Sequence, residues 1–347
     1  MSRRSAFSLR FALLSAALCL LVAAPVKTSA GTVADSLSEE VRAAFEHSRN
    51  AVVKIEASDK DGQLCGTGFF IDPNGVLLTS YSVGGESRDI VVSQGDNKFP
   101  AQRLIADCRS GIAILQIKNL GHATAFLPLA KSTDLNVASP VLSVTYPMDM
   151  PITPNFGMIA GFDLKYLGRY FVITHIRASV PVQRGAGGAP LLNMRGEAVG
   201  IVISSLDGGA SCFAVPIEAA EKIHRDYVRF GATKPGRIGV VVREAGAAIQ
   251  GSIAEIESFE TDAPALKAGL QKGDIVLRIG QNPVKAPEDV LNAGFYLTAG
   301  DPVPVAVWRG DKEVDLQVEP AGVATPCRGM QQPPVSISSG DITLRLP

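Results

Sequence analysis

The chain has 347 residues, of which 46% are apolar and 19% charged, with a formal net charge of −1. That length is enough for two domains that each bury a core. Near-neutral charge, with no basic stripe and no cluster of stacking aromatics, excludes nucleic acid as a bulk electrostatic partner.

Residues 1–30 read as a secretory signal. Arg3, Arg4 and Arg10 give a positive start, Phe11 to Ala24 an apolar run, and Thr28-Ser29-Ala30 the small residues expected before cleavage. The apolar run is 14 residues, short of the roughly 20 that a bilayer span needs. An exported protein, periplasmic or extracellular, is therefore expected, with only transient membrane contact through the signal. Removing this segment deletes four basic residues and no acid, leaving 29 basic against 34 acidic. Cys19 follows Leu18, a poor context for lipid attachment. The other cysteines are Cys65, Cys108, Cys212 and Cys327. Export permits disulfides, and these four allow three pairings that sequence does not rank. Their spacing suits no zinc site, none lies near His47, His122, His175 or His224, and no metal or cofactor is expected.

Ser36-Leu37-Ser38-Glu39 has the pattern of a capping box, and Leu37, Val41, Ala44 and Phe45 follow at helical spacing. From Ala51 the texture changes to short β-type runs: 51–57, 66–71, 76–80, 88–94, 111–117, 141–146, 171–175 and 197–204. Asp72-Pro73-Asn74-Gly75 makes a turn between two of them. Many short strands with turns between them predict a sandwich or barrel. A helix over Ile217–Phe230 ends at Gly231, and 232–236, containing Pro235-Gly236, reads as a linker. A second β-rich unit covers 237–319, with strands at 238–243, 253–258, 274–279, 303–309 and 313–318 and helices near 263–268 and 287–297. The tail, 320–347, is rich in Pro, Gly and Ser and is expected to be flexible, ending in the alternation Ile342, Leu344, Leu346.

Several stretches of the first unit resemble the HtrA/Deg family of trypsin-like serine peptidases. Cys65-Gly66-Thr67-Gly68-Phe69-Phe70-Ile71-Asp72 is similar to its G-S-G-F-I-I-D hairpin. Thr79-Ser80-Tyr81-Ser82-Val83 stands where the family has T-N-x-H-V, and Gly111-Ile112-Ala113-Ile114-Leu115 where it has D-L-A-V-L. Gly185-Ala186-Gly187-Gly188-Ala189-Pro190-Leu191-Leu192-Asn193 resembles the nucleophile loop. The second unit resembles a PDZ domain through Ala263-Pro264-Ala265-Leu266-Lys267-Ala268-Gly269-Leu270-Gln271-Lys272-Gly273-Asp274. The resemblance implies a mostly β protein: a two-barrel, chymotrypsin-type peptidase domain over 36–231, then a PDZ domain over 237–319.

Serine peptidases need a hydroxyl nucleophile, an imidazole base and an orienting carboxylate. Carried over position by position, the base becomes Ser82, the acid Gly111 and the nucleophile Gly187. No Ser, Thr or Cys lies between Val180 and Ile203, so no slip of alignment supplies a nucleophile. His175 reads as a structural residue, and Asp107, four positions from Gly111, as displaced. The expectation from these positions is a protein that is not an enzyme, with Gly185, Gly187 and Gly188 remaining as an oxyanion-loop remnant or simply as a turn the barrel requires.

The PDZ resemblance implies a peptide groove built from Arg237, Ile238, Gly239 and Val240 against Val290, Leu291 and Gly294. The function expected is binding of polypeptides or protein C-termini, as scaffold, chaperone-like holder or regulator of an active peptidase relative. An active or residually active endopeptidase and a structural subunit of a heteromeric complex are the alternatives. The resemblance also implies a homo- or hetero-trimer. The final alternation suits pairing with a sheet edge or entry into the PDZ groove. Pro347 lacks an N–H, which ranks groove entry second.

Overall fold

A computed structural model describes residues 30–148, 150–323 and 344–345. The first described helix is α1 (Ala30–Ser48). It begins before the expected capping box. Ser36 lies within the helix and its hydroxyl donates to Glu40 Oε1 at 3.3 Å, so it satisfies a side chain one turn on rather than a free backbone amide.

Two six-stranded barrels follow. The first contains β1 (Val52–Ser58), β2 (Gln63–Phe70), β3 (Val76–Ser80), the helical turn α2 (Tyr81–Gly84), β4 (Arg88–Gln94), β5 (Asn97–Asp107) and β6 (Ile112–Ile117). Its strands close in the order β1-β2-β3-β6-β5-β4. The second contains β7 (Pro140–Thr145), β8 (Thr153–Tyr166), β9 (Arg169–Ala178), β10 (Pro190–Leu192), β11 (Ala198–Leu206) and β12 (Ser211–Pro216), in the order β10-β11-β12-β9-β8-β7.

The continuous apolar runs have a simple cause. Successive strand residues face opposite sides, and here both sides are covered. Phe70, Leu77 and Leu115 fill the first barrel, while their chain neighbours Phe69, Leu78 and Ile114 join the seam cluster with Leu142, Leu192 and Ile201 of the second barrel. Burial of each such side chain contributes about 1.5–3 kcal/mol. The seam therefore holds the two barrels together and fixes the cleft between them.

The helix α3 (Ile217–Phe230) ends as expected at Gly231, whose φ of 72° suits a glycine and whose amide donates to the Tyr227 carbonyl. The second unit contains β13 (Gly236–Arg237), β14 (Val240–Ile249), β15 (Ser252–Phe259), α4 (Pro264–Lys267), β16 (Ile275–Ile279), β17 (Asn282–Pro283), α5 (Pro287–Phe295), β18 (Val303–Arg309), β19 (Lys312–Val318) and β20 (Ala321–Gly322). Its main sheet runs β19-β18-β16-β15-β14, with β21 (Leu344–Arg345) added beyond β14. Within 237–319, β14 and β19 are thus the two outer strands, and β14 follows the Arg237–Gly239 loop.

The second unit is fastened to the barrels. The buried Asp226 carboxylate of α3 pairs with Lys222 and accepts hydrogen bonds from the Thr298 hydroxyl and the Lys234 amide, each at 3.0 Å. The Thr174 amide of β9 donates to Asn292 Oδ1 of α5 at 2.9 Å. Cys108 is disulfide-bonded, whereas Cys65 and Cys212 remain thiols.

Candidate functional site

The segments carrying Ser82, Gly111 and Gly187 lie close together where the two barrels meet. Ser82 lies on α2, directly after β3, and Gly111 in the turn before β6. The Tyr81 amide donates to the Gly111 carbonyl at 2.6 Å, which joins these two segments. Gly187 comes from the second barrel. A Cβ at this position would stand 3.2 Å from Ser80 Oγ and 3.7 Å from Ser82 Oγ. These hydroxyls lie 2.9 Å apart. A side chain at Gly187 would therefore face a pair of serine hydroxyls, one buried and one exposed.

Thr67, on β2, holds the glycine loop. Its amide donates to the Gly187 carbonyl at 2.9 Å and its hydroxyl to the Gly185 carbonyl at 2.7 Å. The same hydroxyl accepts from the Tyr146 amide, and the Thr67 carbonyl accepts from the Thr79 hydroxyl. Sequence reasoning missed Thr67 as an anchor. It sits within a quoted motif, but its partners lie 118 and 79 residues away and leave no local trace.

The loop glycines differ. Gly188 has φ +89°, and a Cβ there would meet Thr79 Oγ1 at 2.2 Å and the Thr67 carbonyl at 2.3 Å. Only glycine fits. Gly187 has no such crowding, so its lack of a side chain is not dictated by space. Among the described residues, the amides of Gly185 and Gly187 have no hydrogen-bond acceptor, which leaves both N–H groups available to a carbonyl or carboxylate in the cleft.

The displaced candidates are occupied elsewhere. Asp107 is 1% exposed, and it accepts from Arg109 Nε at 3.0 Å and the Ser110 amide at 3.2 Å. Arg109 in turn lies over the Phe295 ring of α5. His175 is buried in β9, stacked on Phe171 at 3.9 Å and edge-on to Phe213. Its Nδ1 is 2.8 Å from the Ile173 carbonyl, and burial pushes its pKa down to about 4. It stays neutral at pH 7, distant in chain and partners from the Ser80–Ser82 pair. Burial likewise pushes the Cys212 thiol up to about 12, leaving it protonated.

In the second unit, Ile238, Val240, Val290 and Leu291 share one apolar cluster. Gly239 has φ +74°, and a Cβ there would meet that of Ala263 at 2.9 Å. A Cβ at Gly294 would meet nothing within 4 Å, so space is open beside α5. Arg237 is committed to Glu260 through a 2.7 Å ion pair. The sequence leaves it as either a carboxylate-binding or a solvated arginine, and the structure gives it a third role, bracing the loop.

Comparisons with known proteins agree with this division. The model of the trypsin-like peptidase domain matches residues 66–201, and that of the PDZ domain matches 236–319. A probable periplasmic serine endoprotease DegP-like of Pseudomonas fluorescens is 29% identical over 271 residues, covering 75% of this chain and 56% of the relative. One of the same description from Brucella suis is 26% identical over 268 residues, covering 73% and 52%. The chain thus spans about half the length of the curated relatives it matches. Among solved structures, an HtrA-type protease AlgW with tripeptide superposes with TM-score 0.67 at 21% identity, covering 82% of this chain and 98% of that one. A serine endoprotease from Yersinia pestis gives 0.57 at 20% identity, covering 82% and 98%. The periplasmic description of the relatives supports export.

These names correct one expectation. The absence of Ser, His and Asp from the three aligned positions predicts a protein that is not an enzyme, whereas the similar proteins are serine endoproteases and point to one. The physical reason is that position-by-position transfer counts three side chains alone. It omits the Ser80–Ser82 hydroxyls and the loop amides that folding brings to the same slot. The chain has the fold of a trypsin-like peptidase domain followed by a C-terminal PDZ domain, the arrangement it shares with the HtrA-type and DegP-like proteins it is similar to.

Proposed function

We propose that this chain handles extended polypeptides, capturing them in its PDZ groove and hydrolysing peptide bonds slowly in its cleft as an HtrA-type endopeptidase of low turnover. The observation that carries the reading is the position of β14, an outer strand within 237–319, beside the Arg237–Gly239 loop and the apolar cluster of Val240, Val290 and Leu291. An edge strand offers a peptide its backbone donors and acceptors, and the apolar residues offer pockets for alternate side chains. We take 36–231 as the peptidase unit, 232–236 as the linker, and 237–319 as the PDZ unit.

Low turnover follows from the cleft. The Gly185 and Gly187 amides are available to polarise a carbonyl, and the Ser80–Ser82 hydroxyls face the Gly187 slot. The base position holds Ser82, which accepts no proton near pH 7. Serine peptidases stripped of triad members retain roughly 10³- to 10⁴-fold acceleration over water from binding and the oxyanion hole. That is the scale expected here.

Casein and an internally quenched peptide test the hydrolytic part, with an identically purified Gly187→Leu variant as the matched blank. Cleavage by the native chain and its loss in the variant are expected. Equal cleavage by both would assign the activity to a contaminant and overturn that part. Capture of a display library of free C-termini tests the groove. Capture that persists after deletion of Gly236–Glu319 shows that the PDZ unit is not the receptor.

A further inference from the structure

The strand β14 has a neighbour from the C-terminal end of this chain. β21, Leu344–Arg345, pairs antiparallel with β14 in the register Val241↔Arg345 and Val242↔Leu344. It lies on the side of β14 away from β15, an edge that no strand within 237–319 covers. Its direction is also informative. From Leu344 to Arg345 the chain advances from Val242 towards Val241, and so towards the Arg237–Gly239 loop. A peptide held by strand addition with its C-terminal side at that loop runs in this sense.

The starting point of the tail favours the same encounter. β20 pairs with β13 through Gly236↔Gly322 and Arg237↔Ala321, and the Val323 amide donates to the Pro235 carbonyl. The chain thus leaves the PDZ unit beside the groove loop. Twenty residues separate Val323 from Leu344, a length whose maximum reach of roughly 70 Å far exceeds what returning to β14 requires. The segment carries Ile342, Leu344 and Leu346 at the period of a strand.

We propose that the C-terminal segment containing Leu344–Arg345 is an intramolecular ligand of the PDZ groove, which an external polypeptide must displace before it binds. The proposal rests on the peptide-binding reading of that groove. Its regulatory content follows from tethering. A tether of this length holds its ligand at an effective concentration on the order of a millimolar. For a segment of roughly 10–100 μM intrinsic affinity, the groove is occupied most of the time, and an outside peptide binds about 10- to 100-fold more weakly than to a vacant groove.

The test compares three proteins: the full chain, a chain lacking Val335–Pro347, and the full chain with Leu344→Pro. Proline removes a backbone donor and resists strand pairing, and at a position outside both domains it leaves the fold intact. The probe is a fluorescein-labelled synthetic peptide of residues 336–347, measured by polarisation. The truncated chain and the Leu344→Pro chain should each bind it at least ten-fold more tightly than the full chain. Hydrogen exchange at Val241–Arg243 should quicken in both. A display library of free C-termini separates the two levels of failure. If it enriches on the truncated chain while the labelled peptide binds all three proteins equally, the intramolecular ligand is refuted and the groove reading survives. If neither probe binds any of the three, the groove reading itself falls. A difference that depends on protein concentration would place the tail of a second copy in the groove and overturn the intramolecular form.

Discussion

The peptidase cleft and the PDZ groove are built on equally well-packed strands, yet they differ in what they ask of side chains. The cleft of a serine peptidase works through three functional groups aligned to fractions of an ångström. Here the scaffold that aligns them is present: Thr67 grips the loop, and Gly187 faces Ser80 and Ser82. The three positions themselves hold Ser82, Gly111 and Gly187. The groove works mainly through backbone groups of an edge strand, and any sequence that folds β14 at the edge supplies them. Chemistry by side chains can be altered at three positions without disturbing a barrel, whereas recognition by backbone persists as long as the sheet does.

The largest effect expected is gain of turnover. Gly187 has space for a side chain and Gly111, at φ +77°, has only the Ile203 side chain near its Cβ position. Asp tolerates such a conformation better than most residues. The triple variant Ser82→His, Gly111→Asp, Gly187→Ser should therefore raise casein cleavage by about 10²-fold or more over the native chain. Turnover unchanged in a folded triple variant would mean that the cleft geometry, and not only its side chains, departs from a peptidase.

The loop itself supplies the next contrast. Gly188→Ala should destabilise the protein by about 3 kcal/mol or more in urea unfolding, because the new Cβ collides with Thr79 and Thr67 and φ is positive. Gly187→Ser should cost less than about 1 kcal/mol. Equal losses would show that the whole loop is a packing element.

Acid provides a third test. His175 is held neutral by burial, with its pKa down at about 4 against an unperturbed 6.5. The unfolded chain binds this proton first, so stability is full above pH 6.5 and declines as the pH falls towards 4, by about 3 kcal/mol in total. Urea midpoints at pH 7 and pH 4.5 measure the decline, and His175→Phe should flatten it. A pH slope unaltered by that change would place the acid sensitivity elsewhere.

The smallest effect concerns the groove loop. The Arg237–Glu260 pair is partly exposed on both sides, so Arg237→Ala should cost under about 1 kcal/mol and change peptide affinity by less than about two-fold. A ten-fold loss of affinity would make this guanidinium a ligand contact after all.

Much of the architecture was legible in local sequence. The turn Asp72-Pro73-Asn74-Gly75 and the helix Ile217–Phe230 with its terminal glycine lie where their residues predict, as do most strands. Two of the long strands were not foreseen. β5 is largely exposed and contains Pro100, so it lacks a buried apolar stripe. β8 carries Pro154, Gly157 and Gly161 and turns Phe156, Met158 and Phe162 outward, so its apolar residues do not mark a core face. In the cleft, the three triad positions were legible from flanking motifs, while the grip of Thr67 and the Ser80–Ser82 pair were not.

The sequence by itself determined the fold class, the order of the two domains and the identity of the residues at the catalytic positions. These follow from strand alternation, turn residues and motif spacing, all of which act within a few residues along the chain. Only the tertiary structure decided that Ser82, Gly111 and Gly187 meet, that Gly188 is obligatory where Gly187 is not, and that Leu344–Arg345 lies on β14. Those contacts join residues about 30 to more than 100 positions apart. Their partners are set by how buried seams and open sheet edges pair in space, for which no local stretch of sequence carries the signal.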